Sequence, residues 1–179
     1  TREGIATGFL KRVQVGDELF FQKRKFNTFT FPPADTEHPI IMIGPGTGIA
    51  PFISLLRELH ATLEDPKHRP PYLWLFYGCR KPHWDWLFGE ELSKTLRPLL
   101  ERVSITFSRV SEEELADIEA HTPGCRYVQD AMRKYSSELV QWIHERNATV
   151  YVCGDAKNMA KDVNVCMVEC LHKHLGLSP

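Results

Sequence analysis

Four short segments of this chain carry residues suited to anion and nucleotide chemistry. The first is Gly44-Pro45-Gly46-Thr47-Gly48-Ile49-Ala50-Pro51. Glycines let the backbone turn tightly and approach a ligand closely, and Pro51 suits the first turn of a following helix, where its missing N–H costs nothing. Such a helix start offers free N–H groups and a partial positive charge to a pyrophosphate, and Thr47 adds a hydroxyl donor. The segment is not GxGxxG and lacks the P-loop lysine. A ligand-free strand-to-helix turn is the bland alternative, but three glycines, two prolines and a threonine in eight residues exceed what a bare turn needs.

The second and third segments are Gly78-Cys79-Arg80 and Ser108-Arg109, with Arg126-Tyr127 further on. Arginine reads phosphate bidentately and serine can donate beside it. A tyrosine ring can lie over an adenine. Singly, each arginine reads as a surface charge; their shared position at the ends of apolar runs argues for a site. Sites for NAD use a carboxylate on the ribose, so basic residues here favour the 2′-phosphate of NADP. The fourth segment is Cys153-Gly154-Asp155-Ala156-Lys157-Asn158-Met159. A thiol at Cys153 can pack against a nicotinamide without attacking it, or it is a buried strand-end cysteine, a common place for this residue. Gly154 and Asp155 suit a tight turn and a helix N-cap.

These segments need a frame. Ile40–Ile43, Tyr72–Tyr77, Val103–Phe107 and Thr149–Cys153 read as strands. Ala50–Leu63, Trp86–Leu96, Tyr127–Arg146 and Asn158–His174 read as helices, from apolar residues recurring at helical spacing. Strands without polar alternation, separated by helices, predict a doubly wound α/β domain with a parallel sheet covered on both faces. Right-handed crossovers give strand order 3-2-1-4. Ligands then bind at the carboxyl ends of the strands, where the order reverses between strands one and four. Each of the four segments follows a strand or opens the next helix.

Residues 1–38 read differently. They hold Gly4-Ile5-Ala6-Thr7, a strand-like run Glu18–Gln22, a basic cluster Lys23-Arg24-Lys25 and the aromatics Phe26, Phe29 and Phe31. This is too little to close a core, so 1–38 is expected to be the tail of another domain and 39–179 the regular one, with the boundary in the Pro-rich and acidic stretch around 32–38.

The bulk properties narrow the function classes. In 179 residues, 42% are hydrophobic and the net charge is −1 with His neutral. That balance gives no electrostatic case for nucleic acid or an anionic membrane. Pro39 to Leu56 carries no charge, but its glycines and prolines could not satisfy their backbone in lipid. Five cysteines at irregular spacing, with no CxxC, point away from a disulfide framework and toward a reducing cytoplasm. Cys166, Cys170 and His174 would share a helix face, but they would span about 12 Å, while the ligands of one zinc lie within ~2.3 Å of it. An amphipathic helix with buried cysteines is the better reading, and no metal site is expected.

The motifs GPGTGIAPF (44–52), YGCR (77–80), FSR (107–109), RYVQD (126–130) and YVCGDAKNMAKDV (151–163) resemble the NADP-binding domain of the ferredoxin-NADP reductase superfamily, in its diflavin branch. The run GDAKNMAKDV with RYVQD is most similar to the methionine synthase reductases of that branch. The resemblance implies a Rossmann-like C-terminal NADP-binding domain preceded by the tail of an FAD-binding β-barrel. It implies that Gly46, Thr47 and Gly48 hold the pyrophosphate and nicotinamide end, that Arg80, Ser108, Arg109, Arg126, Tyr127 and Gln129 hold the adenosine phosphate end, and that Cys153 and Asp155 sit by the nicotinamide. Gly4, Ile5, Ala6 and Thr7 resemble the family's FAD-pyrophosphate motif. NADPH is the implied cofactor, with FAD and FMN in the full-length protein. The implied partner is an electron-acceptor protein, methionine synthase within that branch. Another diflavin reductase, or a non-redox NADP(H) sensor, is the alternative. There are departures: Cys125 stands where the family often has Lys, an Arg-x-Tyr-Ser flavin motif is absent, and Leu177-Ser178-Pro179 precedes any terminal strand or flavin-stacking aromatic, so a fragment of a longer reductase is expected.

Overall fold

Ile40–Ile43 forms β1 because four consecutive β-favouring or long apolar residues can be buried on both faces at once, and all four are. The other three strands are less uniformly apolar and less uniformly buried. β2 runs Leu73–Cys79, β3 Arg102–Phe107 and β4 Thr149–Val152. The sheet order is β3-β2-β1-β4 and every pairing is parallel, as the crossover rules require. The computed structural model describes residues 4–22, 29–31, 38–62, 71–115, 118 and 121–176. Lys23, Arg24, Lys25, Phe26, the stretch 32–37, Leu63 and residues 177–179 lie outside the described residues.

Side chains alternate across a strand, so Ile41, Ile43, Trp74 and Phe76 share one face. They form a continuous core with Val128, Ala131, Met132, Leu139, Trp142, Val163, Cys166 and Cys170. These come from α6 (Val128–Lys134), α7 (Ser136–His144) and α8 (Met159–Leu175). The other face faces the crossover helix α2 (Ala50–Thr62), whose Phe52, Ile53, Leu55, Leu56 and Leu59 are buried. Cys166 and Cys170 are packing residues of α8: their thiols reach the carbonyls of Gln129 and Met132 at 3.5 and 3.9 Å. His174 Nε2 lies 2.8 Å from Ser136 Oγ.

Three element expectations are corrected. The helix expected over 127–146 is two helices, broken at Tyr135 (φ −103°, ψ 24°). Tyr135 turns its ring onto Trp74, with centroids 6.1 Å apart, and the Arg102 guanidinium stacks 5.1 Å from each ring. This tertiary docking overrides a weak Lys-Tyr-Ser-Ser helical stretch. The helix expected over 86–96 is shorter, α4 (Gly89–Lys94), and a separate helical turn, α3 (Pro82–Asp85), precedes it. Phe88 takes a left-handed φ of 58° between them, and a Cβ at Gly89 would meet the Trp86 ring at 2.6 Å. A four-residue helix α5 (Glu112–Leu115) follows β3.

The third correction lies in the N-terminal unit. The chain divides into Thr1–Phe31 and Pro32–Pro179. In the first, Gly4–Thr7 opens a helix, α1 (Ile5–Arg12), with Gly4 at its N-cap. Glu18–Gln22 is not a strand: it has no regular structure, and Phe20 and Phe21 are 97% and 92% exposed. A short apolar run makes a strand only when a neighbour pairs with it, and none does among the described residues. No helix of the described residues is long and apolar enough to cross a membrane.

Candidate nucleotide-binding cleft

The sheet ends create the site. β1 and β4 are neighbours whose connections leave to opposite sides, so a crevice opens beyond Ile43 and Val152. Gly44 N donates to Phe76 O at 3.0 Å, holding the first loop against β2. Gly46 adopts φ +60°, which favours glycine, and opens a 3-10 turn, Gly46–Ile49, that leads into α2. A Cβ on Gly48 would overlap the Cys153 carbonyl oxygen and lie 2.7 Å from its carbon. The two loops that flank the crevice therefore touch backbone to backbone, a contact only glycine permits.

Beside the crevice lies a cleft of about 620 Å³. Its floor is the carboxyl ends of β1, β2 and β3, through Pro45, Gly46, Gly78, Cys79, Thr106 and Ser108. One wall is the entry to α6, with Arg126, Tyr127, Val128 and Gln129. The other is the entry to α8, with Asp155, Asn158, Met159 and Asp162. Arg80 and Asp85 close the β2 end. A second cavity of about 710 Å³ lies along the β3 edge, between Trp86, Leu92, Val103, Ile105 and Tyr135. It touches none of the expected site residues and is away from the strand ends, where sheets of this type bind ligands.

The cleft brings together Gly46, Arg80, Ser108, Arg126, Tyr127, Gln129 and Asp155. Ser108 N and Arg109 N donate to Cys79 O and Arg80 O at 2.9 and 3.0 Å, so the β2–β3 ladder continues past the strands and sets Ser108 beside Arg80. Asp130 Oδ2 accepts from Arg126 N at 3.0 Å and Tyr127 N at 2.9 Å. That cap fixes the start of α6 and leaves the Tyr127 ring 59% exposed at the cleft mouth. The guanidinium of Arg126 has no partner among the described residues.

Thr47, Gly48, Arg109 and Cys153 do not line the cleft. Thr47 and Arg109 are exposed at its margin, and Gly48 is buried in the loop contact. Cys153 is half-buried and is held by its backbone: its N–H donates to Ile43 O at 3.0 Å. Gly4, Ile5, Ala6 and Thr7 belong to the N-terminal unit, where their residues are exposed. Asp155 is not the N-cap of α8; Asn158 holds that position. Asp155 instead closes the turn, its Oδ1 accepting Lys157 N at 3.0 Å and its Oδ2 the Asn158 side-chain amide at 3.3 Å.

Electrostatically the β2 end is the most structured part. Burial raises the Asp85 carboxyl, but hydrogen bonds from the Arg80 side chain and from the Lys81 and Arg80 amides hold it net below its ordinary value. Burial, aided by the Asp85 charge, pushes the Cys79 thiol up to about 12. Tyr77 is likewise raised by burial. Thr106 is fully buried, and its hydroxyl has no partner among the described residues. Sequence reasoning missed Asp85, Thr106, Asn158, Met159 and Asp162 as lining residues. The signal for Thr106 is parity: two residues beyond Ser104 along β3, it shares that residue's face of the sheet. Asp85 had a local signal, a proline-started turn right after Arg80.

A parallel sheet with order 3-2-1-4, a glycine loop at the switch point and a cleft at the strand ends that holds Arg80 and Arg126 define a dinucleotide-binding domain. The chain belongs to the Oxidoreductase NAD-binding domain family, which matches residues 42–165. It is 39% identical to a methionine synthase reductase from Rattus norvegicus, over 98% of this chain and 27% of that protein. It is 36% identical to a sulfite reductase [NADPH] flavoprotein alpha-component from Bacillus subtilis, over 94% of this chain and 25% of that protein. The chain thus spans about a quarter of the length of these relatives. A solved structure, a mutant ferredoxin-NADP+ reductase from Plasmodium falciparum in complex with 2′P-AMP, shares the fold with a TM-score of 0.67 at 23% identity, over 93% of this chain and 61% of that one. The resemblance read from the motifs, with methionine synthase reductase and sulfite reductase flavoprotein as relatives, is borne out.

Proposed function

We propose that this chain is the NADPH-binding module of a flavoprotein reductase of the diflavin type, with residues 1–38 belonging to an FAD-binding domain and 39–179 to the nucleotide domain. Bound NADPH would supply a hydride to FAD, with electrons passing singly through FMN to an acceptor protein. The reactivation of methionine synthase is the favoured outlet, on the identity to methionine synthase reductase; another diflavin reductase is the second reading, on the identity to the sulfite reductase flavoprotein. A cytoplasmic location fits the five free cysteines.

The residues divide the work. Gly46, Thr47 and Gly48 present the loop and the start of α2 to the pyrophosphate. Arg80, Ser108, Arg109 and Arg126 take the 2′-phosphate, the Tyr127 ring covers the adenine, and Gln129 supports that end. Cys153 and Asp155 stand at the crevice beside the nicotinamide, and Gly4–Thr7 would meet the FAD pyrophosphate.

The observation that carries the reading is the convergence of Arg80, Ser108 and Arg126 on one cleft whose mouth holds an exposed Tyr127. The carboxylates beside these residues are already engaged, Asp85 by Arg80 and Asp130 by the Arg126 and Tyr127 amides. A charge-assisted contact is worth roughly 1.5–3 kcal/mol, about ten- to a hundred-fold in affinity. Calorimetry should therefore show Arg126→Ala, and Arg109→Ala, weakening 2′,5′-ADP by about that factor while leaving 5′-AMP nearly unchanged. Equal losses for both nucleotides would defeat the assignment to NADP(H). A sensor without redox function would bind equally well but need no Gly4–Thr7 motif.

A further inference from the structure

Asp85 is the last residue of α3, a turn held to the sheet by a buried tyrosine. Tyr77 OH donates to Asp85 O at 3.2 Å and accepts from Leu87 N at 2.8 Å. The Asp85 carboxylate faces Arg80 and divides its oxygens. Oδ1 accepts from the backbone amides of Arg80 and Lys81, both at 3.0 Å. Oδ2 accepts from Arg80 Nε at 2.8 Å. Both residues line the cleft. A guanidinium has one Nε and two terminal nitrogens in a rigid plane. With Nε taken, the edge formed by the two terminal nitrogens stays open, and among the described residues neither has a partner.

We infer that Asp85 is a positioning residue: it grips Arg80 through Nε so that the terminal nitrogen pair is presented, already oriented, to the phosphate of an adenosine 2′-phosphate. The inference rests on the reading of Arg80 as a 2′-phosphate ligand. A free arginine side chain loses rotamer freedom when it binds, and a pre-oriented one has lost it beforehand. The arrangement has an opposing side, because the Asp85 charge repels the incoming phosphate. That repulsion acts across solvent, since Arg80 and Asp85 side chains are 52% and 21% exposed. It is damped at high salt, where the screening length falls to about 4 Å at 0.5 M; the direct Nε contact is shorter and persists.

Asp85→Asn separates positioning from turn-making. Its side-chain oxygen can still accept the two backbone amides, but its NH₂ cannot accept from Nε. In 0.5 M NaCl, calorimetry should show Asp85→Asn binding 2′,5′-ADP about three- to ten-fold more weakly, with 5′-AMP unchanged. The effect should vanish in an Arg80→Ala background, whereas damage to the turn would persist there. Unchanged 2′,5′-ADP affinity, or an equal loss in both backgrounds, overturns the inference. Should Arg80→Ala itself leave the preference for 2′,5′-ADP untouched, the reading of Arg80 falls, and the inference with it; a lost preference in Arg80→Ala with no Asp85→Asn effect sinks the inference alone. NMR of the unsubstituted chain gives a reading independent of any variant. The Arg80 Nε–H should exchange slowly with water and hold its shift during a 2′,5′-ADP titration, while the terminal N–H signals move. Rapid Nε–H exchange would overturn the assignment.

Discussion

Gly48→Ala should damage both the stability and the ligand response of this chain, because it strikes where the β1 loop meets the end of β4. The added methyl would lie 2.7 Å from the Cys153 carbonyl carbon and 3.1 Å from the Gly154 Cα. Carbon atoms in van der Waals contact sit about 3.5–4.0 Å apart, so the two loops must separate by roughly 1 Å. Backbone stands on both sides and no rotamer relieves it. Overpacking of this kind costs about 1–3 kcal/mol, and the upper end applies where backbone must yield. For a chain of this size each kcal/mol lowers the midpoint by about 2–4 °C, which places Gly48→Ala about 6–12 °C below the natural chain. Gly46→Ala is the control. A Cβ there meets nothing within 4 Å, and the left-handed φ alone costs about 1 kcal/mol, or 2–4 °C. The assay is thermal unfolding with and without NADP+. At a hundred times Kd the natural chain should gain about 2.7 kcal/mol, while the splayed crevice of Gly48→Ala should gain much less. A Gly48→Ala midpoint within about 2 °C of the natural chain, or one no lower than that of Gly46→Ala, would refute the contact as described.

In the complete reductase, Cys153→Ala should slow flavin reduction in stopped-flow while NADP+ affinity stays within about a few-fold; unchanged reduction would leave Cys153 as packing. The raised Cys79 thiol gives a signed pH effect. Its value is about 12 folded against an ordinary 9.0, so the folded state keeps the proton longer. Its stabilising contribution is whole below pH 9 and falls as pH rises from 9 toward 12, by up to about 1.4 kcal/mol per pH unit. Urea unfolding over that window should show a shallower decline for Cys79→Ala than for the natural chain, and parallel curves would count against the shift. Breaking the Arg102 stack by Arg102→Ala should cost about 1–2 kcal/mol, from two ring contacts and the Glu138 pair at 2.8 Å; a midpoint unchanged in thermal unfolding would show the stack to be incidental.

What could be read in advance divides along a physical line. β1 was legible in full because Ile40–Ile43 is an apolar run closed by glycine, and strand order followed from handedness alone. The glycine loop, Arg80, Ser108, Arg126 and Tyr127 were legible because each follows a strand or opens a helix, and strand ends are where such sheets converge. Thr106 was not, because its place depends on register: it pairs with Gly78, a partner far away in sequence. The break at Tyr135 was invisible for a related reason, since nothing local says that its ring belongs on Trp74. Cys153 was placed correctly at the end of β4, yet its structural contact with Gly48 runs through the carbonyl, which every residue has and no side chain announces.

The pairing of β1 also dictates an order of assembly. Ile40 pairs on one side with Leu73, about 30 residues on, and on the other with Thr149, about 110 residues on. At a synthesis rate of about 5–20 residues per second, β4 leaves the ribosome some 5–20 s after β1. During that interval β1, β2 and β3 can zip together through short crossovers, but β1 keeps an unpaired, wholly apolar edge, the kind of edge that recruits other strands. The half-built sheet is therefore the hazardous species in the life of this chain. A nucleotide cannot rescue it, because the crevice that would hold the ligand has only one lip until β4 arrives.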